Sequence, residues 1–550
     1  MSRSVVLLLL ATTACGGPNP ADKDDASLDD RLRGPGEGLA SDAIPDHDPD
    51  AYGEDAIEML GEVAVSTDRL LLGVAPDATV DQINAVLTEL DASILGGAPA
   101  GGLLVLQVAE GTAEAAQDTA EAAVGVAMAM VDFTLETERM GKAHDAGARE
   151  EDNGCSTASE HWRWDDSGVG RISEGGWDSA TWQGASWGLK HARVPLAWNL
   201  RDHMVRENNP PAIAFVDAGF WAHGDLPGLP VSDPDSGSHG LAVASVAAAG
   251  FDDGQGIEGV FPRGTRLENT LLTAWFKDSS GPRVWSSRVV THGARLLGQG
   301  AAVLNSSQGM SRAYAASPGD TSAIQGLVAK ESAAWAAAGA VLASDGHHDF
   351  LVTCSAGNSG PWYAAEWNSG CAHRAAQGDT HFISVEALTA PGNALADFSG
   401  KGATMAAPGE CVGVAVPGAD TEWASDSGTS YAAPFVAGVA AMVWAADPSL
   451  DHGQVRQALL AGAHPAVSEV SPRVDALGAL LAIDDLQGDR QLQTALADVD
   501  DTTPDGNLRL VPEGSGLAAT GPVDGLRGDG CVDLSDLRAL RDAILDTRAG

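Results

Sequence analysis

Two hydrophobic rhythms account for most of the chain. In the first, residues 63–74, with their valines and leucines, read as a strand. Residues 79–90 then place Val80, Ile83, Val86, Leu87 and Leu90 on one helical face. Short runs at 92–95 and 102–108 predict two more strands. An alanine-rich stretch at 113–129 predicts a second helix, and 131–135 a last strand. The order β-α-β-β-α-β predicts a small α+β domain. In the second rhythm, apolar runs at 212–216, 267–272, 301–304, 350–354 and 382–388 alternate with helical stretches. The helices are predicted at 239–249, 285–299, 324–343, 431–446 and 451–460. Continuously apolar strands between helices predict an α/β fold whose parallel sheet is covered on both faces. Such sheets collect their active sites at the carboxyl ends of the strands.

The remaining segments follow neither rhythm. Arg3 and an apolar run at 5–11 precede the small residues Thr12, Thr13 and Ala14 and then Cys15. That run is too short to cross a membrane and reads as an export signal over residues 1–14. Two processing outcomes fit it: lipidation of Cys15, which gives a lipid anchor, or ordinary cleavage after Ala14. Residues 15–60 are rich in Asp, Gly and Pro and predict a disordered tether. Residues 141–180 are rich in Gly, Ser, Asp and Trp without a period, and predict an exposed connector. Residues 485–550 form a separate acidic tail.

Length and charge narrow the function. A chain of 550 residues predicts several structural units. Its 76 acidic and 32 basic residues give a net charge of −44, which argues against a nucleic-acid partner. The same balance suits an exported acidic surface or calcium sites. Besides Cys15 there are Cys155, Cys354, Cys371, Cys411 and Cys531, with no CxxC pair to hold structural zinc. Export permits disulfides, and proximity alone selects Cys354 with Cys371.

Four short motifs carry candidate chemistry. Ser427-Gly428-Thr429-Ser430 sets a serine at a glycine turn before a run of small and apolar residues. The start of a helix there favours developing negative charge. Ala214-Phe215-Val216-Asp217 ends a buried strand on an acid, followed by Ala218-Gly219. Ser238-His239-Gly240 opens a helix of small residues with a histidine. Ser355-Ala356-Gly357-Asn358 follows an apolar strand and offers an amide donor suited to an oxyanion. An acid to orient, a histidine to move the proton and a serine to attack make up nucleophilic acyl-transfer chemistry.

The order Asp217, His239, Asn358, Ser430, with GTSYAAPFVAG around the serine and SAGNSG around the asparagine, resembles the subtilases, the subtilisin-like serine peptidases. The resemblance covers residues 181–484. It implies a subtilisin-like sheet, a triad of Asp217, His239 and Ser430, and Asn358 in the oxyanion hole. It implies no cofactor for catalysis, and admits calcium as a structural ion. Ser307, Gln308 and Gly309 resemble the family segment that binds substrate by backbone pairing. Ala218 and Leu241 depart from the pattern, standing where a hydroxyl residue and a threonine are usual.

Residues 61–140 are similar in size and element order to the ferredoxin-like propeptides of that family. The resemblance therefore implies a zymogen, inhibited by its own propeptide and matured within 141–180. It implies a secreted or envelope-bound endopeptidase with protein or peptide substrates. The tail resembles a degenerate dockerin-like pair of calcium loops. Asp529, Asp533 and Asp536 are its candidate ligands, while Gly525 and Arg527 fall where carboxylates are needed. An acidic helical tail that binds no calcium fits those residues as well.

Overall fold

Thr79 caps the first helix through a capping box with Gln82, which fixes its start where the apolar stripe begins. The structure, a computed structural model, describes residues 56–137 and 187–487. Outside the description are 199, 201–210, 228, 230–236, 251–256, 262–270, 276–282, 345, 347–348, 390–391, 393, 419–422 and 467–468. Cys15, the connector 141–180 and the tail residues Asp529, Asp533 and Asp536 therefore lie outside the described residues.

The small domain runs β1 (Ile57–Leu60), β2 (Val63–Val74), α1 (Val80–Leu90), β3 (Ser93–Ala98), β4 (Leu103–Gln107), α2 (Ala113–Glu121) and β5 (Val126–Thr137). Its antiparallel sheet has the order β5-β2-β4-β3, with β1 folded back on β2. Leu70, Leu72, Leu104 and Leu106 pack on Ile83, Leu87 and Ala120 of the two helices. The β1 hairpin brings order into the segment expected to be a tether up to residue 60.

The helix expected over 113–129 is a correction. It stops at Glu121, and residues from Val126 form a strand. Gly125 adopts φ +88, a left-handed conformation that breaks the helix. Met128, Ala129 and Met130 then pair with Gly73, Leu72 and Leu71 of β2. Ladder pairing and burial outweigh the helical preference of the alanines.

The large domain begins with α3 (Trp187–His191) and α4 (Val194–Trp198), then β6 (Ala212–Asp217) and α5 (His239–Ala248). β7 (Leu271–Trp275) overlaps the run expected at 267–272 only in its first two residues. Next come β8 (Arg283–Trp285), α6 (Ser286–Gly298), β9 (Ala301–Ser306), β10 (Gln308–Gly309), α7 (Ser311–Ala316) and α8 (Thr321–Ser344). The chain continues through β11 (Leu351–Ser355), α9 (Gly370–Ala376), β12 (Phe382–Leu388), β13 (Met405–Pro408), β14 (Val412–Ala415) and β15 (Trp423–Asp426). It closes with α10 (Thr429–Ala446), α11 (His452–Gly462) and α12 (Ala476–Gln487).

Six strands form a parallel sheet in the order β7-β6-β9-β11-β12-β13. The chain leaves β6 toward β7, and returns to place β9 on the other side of β6. That reversal opens a crevice at the carboxyl ends of β6 and β9. Every residue of α10 is buried, so this long apolar helix is the core of the domain. Cys354 and Cys371 form a disulfide, the pairing expected from proximity.

Glu331 of α8 is buried beneath α9. It accepts from the Gly370 N–H at 2.9 Å and from Trp335 Nε1–H at 3.4 Å. Burial pushes its pKa up to about 7, the two hydrogen bonds offsetting only part of that cost. A raised acid holds a proton in the folded state that the unfolded chain gives up from about pH 4.5. Its contribution to stability therefore falls as pH rises from about 4.5 to about 7. Glu331→Gln should flatten the thermal-unfolding midpoint across that window and raise it at pH 8.

Candidate active site

Asp217 is the last residue of β6, and the chain must turn sharply after it. Gly219 makes that turn at φ +76. A Cβ there would lie 2.2 Å from the Gly237 carbonyl oxygen. The segment leading into α5 can therefore rest against the turn. The Gly240 and Leu241 N–H groups, free at the helix start, donate to the carbonyls of Ala218 at 2.6 Å and Gly219 at 3.0 Å. This tie brings His239 Nδ1 to 2.7 Å from Asp217 Oδ1, with both side chains buried. The Ala218 N–H donates to the same oxygen at 2.7 Å.

A carboxylate facing Nδ1 can only accept, so Nδ1 carries the proton and Nε2 is left as the basic nitrogen. His239 Nε2 is buried and makes no hydrogen bond. Asp217 Oδ2 is also buried without a hydrogen-bond partner. The departure at Ala218 acquires a physical meaning here, because that residue has no hydroxyl to offer the carboxylate.

Ser430 is the second residue of α10. The turn before it is held by the Gly428 N–H donating to the Gly409 carbonyl at 2.8 Å, and by Ser427 Oγ accepting from the Cys411 N–H at 2.9 Å. Tyr431 donates its hydroxyl to Asp426 at 2.6 Å, and its ring lies 6.2 Å from that of His239. Pro434 lacks the N–H that would bond the Ser430 carbonyl four residues back. Ser307 Oγ donates to that carbonyl instead, at 3.1 Å.

Asn358 stands beyond the carboxyl end of β11. Its Oδ1 accepts from both the Thr429 N–H and Thr429 Oγ1, each at 2.9 Å. A backbone N–H demands an acceptor, which fixes the oxygen toward α10 and the amide nitrogen at the opposite end. The Asn358 N–H donates to Ser311 Oγ at 3.0 Å, and the Gly357 N–H to Thr429 Oγ1 at 3.1 Å. Sequence reasoning missed Ser311 and Thr429 as supports. Thr429 was within reach, adjoining Ser430 in the same motif; Ser311 sits in no chemical pattern.

In the segment of Ser307, Gln308 and Gly309 the backbone is what faces the small domain. The Gln308 side chain is buried, donating to the Val216 carbonyl at 2.7 Å and accepting from Ser306 Oγ at 2.8 Å. The main chain of β10 pairs antiparallel with β5 of the small domain, Gln308 with Thr137 and Gly309 with Glu136. β8 pairs with the other edge of β5, Trp285 opposite Thr134 and Arg283 opposite Glu136. The end of β5 is thus a middle strand between two strands of the large domain.

A parallel α/β sheet that carries a carboxylate-bound imidazole and a helix-borne serine at its switch point defines a serine hydrolase. The sequence model of the subtilase family matches residues 213–496. Thermitase of Thermoactinomyces vulgaris is 29% identical over 272 residues, spanning 47% of this chain and 81% of thermitase. Subtilisin Savinase of Lederbergia lenta is 29% identical over 294 residues, 50% of this chain and 90% of its own length. The chain belongs to the subtilase family and is a subtilisin-like serine peptidase. Fervidolysin from Fervidobacterium pennivorans, a keratinolytic enzyme related to subtilisin, shares the fold with a TM-score of 0.51 at 18% identity. That match covers 80% of this chain and 64% of the fervidolysin chain.

Proposed function

We propose that the chain is an exported endopeptidase, made as a zymogen, that hydrolyses peptide bonds in proteins through Asp217, His239 and Ser430. The observation that carries this reading is the 2.7 Å contact between His239 Nδ1 and Asp217 at the strand ends beside α10. Ser430 Oγ attacks the scissile carbonyl, and His239 Nε2 takes its proton and returns it to the leaving amine. Asp217 holds the imidazole and stabilises its cation. The Ser430 N–H and the Asn358 amide receive the oxyanion. Ser307 to Gly309 receive substrate as an added strand. No cofactor takes part.

The small domain is the propeptide in this reading, and β5 lies where a substrate strand would lie. Its grip is also electrostatic. Asp132, buried in β5, accepts from the Ser287 N–H at 3.0 Å, Ser287 Oγ at 2.5 Å and Ser286 Oγ at 3.1 Å, at the start of α6. Leu71, Val105, Met128 and Met130 pack in one apolar cluster with Val290, Ala294, Trp335 and Ala338. Hydrogen bonds to a charged group are worth about 1.5–3 kcal/mol each. Asp132→Ala should therefore weaken inhibition by the separated small domain by at least about 10- to 100-fold in Ki, the worth of one of these bonds.

The register also bears on maturation. Antiparallel pairing advances β5 past Gln308 toward Ser307, whose hydroxyl reaches Ser430. The first self-cleavage is expected within two or three residues after Thr137, ahead of the connector at 141–180. Mass analysis of wild type and Ser430→Ala tests this. Cleavage only in the wild type is expected, and identical cleavage of both would assign maturation to another protease. Export by the 1–14 signal, anchoring through Cys15 and structural calcium at Asp529, Asp533 and Asp536 complete the proposal. Radiolabelled palmitate incorporation lost in Cys15→Ser tests the anchor, and calorimetry of the full chain with calcium tests the tail.

A further inference from the structure

The amino ends of the parallel strands, opposite the Ser430 side, carry a second cluster. Asp349 stands two residues before β11, His381 immediately before β12, and His452 opens α11. β11 and β12 are neighbours, and the Val352 N–H donates to the His381 carbonyl at 2.7 Å, so the two strand starts are held side by side. His452 Nδ1 lies 2.8 Å from both Asp349 oxygens, and the His452 N–H donates to Oδ2 at 2.5 Å. His381 Nε2 lies 3.6 Å from Asp349 Oδ1. One ring nitrogen from each histidine and one carboxylate oxygen all fall within 4.8 Å of one another.

The far side of each ring has a partner too. His381 Nδ1 lies 3.2 Å from Asp379 Oδ1, and Asp379 accepts from Arg374 Nε–H at 3.0 Å. His452 Nε2 lies 2.9 Å from Thr380 Oγ1. The two rings stack with centroids 3.5 Å apart and planes 13° apart. Protonating both rings would set two like charges face to face. A metal ion takes both as neutral ligands and satisfies the carboxylate as well; imidazole lone pairs lie in the ring plane, so one ring turns out of the stack for both to reach the same ion. Metal-binding histidines are oriented in this way, by a carboxylate or hydroxyl on the nitrogen turned away from the ion.

We propose that Asp349, His381 and His452 bind a divalent transition-metal ion of the zinc class through a carboxylate oxygen, His381 Nε2 and His452 Nδ1. Two imidazoles and one carboxylate suit zinc, copper or nickel rather than calcium or magnesium. The three side chains are partly exposed, so water completes the coordination. The ion clips the starts of β11 and β12 to α11, joining residues 103 positions apart. It lies on the side of the sheet away from Asn358 and Ser307, so it supports the fold and takes no part in hydrolysis.

The test uses the full chain carrying Ser430→Ala, stripped with chelator and titrated with zinc chloride. Zinc at a hundredfold excess over Kd is expected to raise the unfolding midpoint by roughly 5 °C. His381→Gln and His452→Gln should each abolish that shift. Asp379→Asn should weaken zinc binding about 10- to 100-fold, an effect on affinity that a merely packed carboxylate would not have. Cobalt in place of zinc should give visible d–d bands that His381→Gln removes. A midpoint unmoved by zinc, or a shift that survives both glutamine variants, overturns the proposal. Should a glutamine variant not fold, the cobalt spectrum of the chain with its ligands intact decides, and absent bands overturn it.

Discussion

His239→Ala, processed by an added protease because it would not cut itself, should lower kcat/KM on a peptide substrate by about a millionfold, and Asp217→Asn, processed likewise, by about ten-thousandfold. In the proposed mechanism the imidazole takes the proton from Ser430 and gives it back. Asp217 Oδ1 fixes its tautomer at 2.7 Å. An asparagine amide turned toward Nδ1 as a donor would force the proton onto Nε2 and remove the base. The two losses should not add in the double variant, because both act through the same nitrogen. Stopped or initial-rate assays with a chromogenic peptide measure them, and circular dichroism checks that each variant is folded. A loss of less than tenfold in His239→Ala would contradict the assignment.

Asn358→Ala should lower kcat by about 100- to 1,000-fold with KM little changed, the signature of a donor used chiefly in the transition state. Alanine also removes Oδ1 from Thr429, so this variant mixes chemistry with support. Asn358→Asp separates them. Aspartate keeps the acceptor for Thr429 and deletes the donor. Its kcat should fall at least as far as in the alanine variant while its unfolding midpoint stays closer to wild type. Equal kcat in Asn358→Asp and wild type would remove Asn358 from the oxyanion site.

The parts of the fold visible in the sequence are those where local pattern and burial agree. α10 is apolar on every face because all of it is core, and β12 (Phe382–Leu388) is buried throughout, Ser384 and Glu386 included, because both faces of the sheet are covered. Where they disagree, the reading fails. The alanines after Glu121 favour a helix, but Gly125 and the partner strand β2 turn them into β5. The short strands β8 and β10 carry no pattern of their own, since they exist only through pairing with β5.

The site divides in the same way. Asp217, His239, Asn358 and Ser430 are legible because each sits in a local motif whose glycines and small residues are as demanding as the functional group. The cluster of Asp349, His381 and His452 has no such motif. Its members come from three elements, and only the parallel pairing of β11 with β12 and the docking of α11 bring them together. The buried acid Glu331 is similarly invisible, being one polar residue in an alanine-rich helix.

The Asp–His–Ser assignment is tested by labelling the processed, folded chain with a fluorophosphonate probe and locating the adduct by peptide mass. One adduct per chain on Ser430 is expected, abolished by Ser430→Ala and strongly slowed by His239→Ala, with both variants processed by an added protease. A folded, processed chain with Ser430 unlabelled, or labelled as fast without His239 as with it, would contradict it.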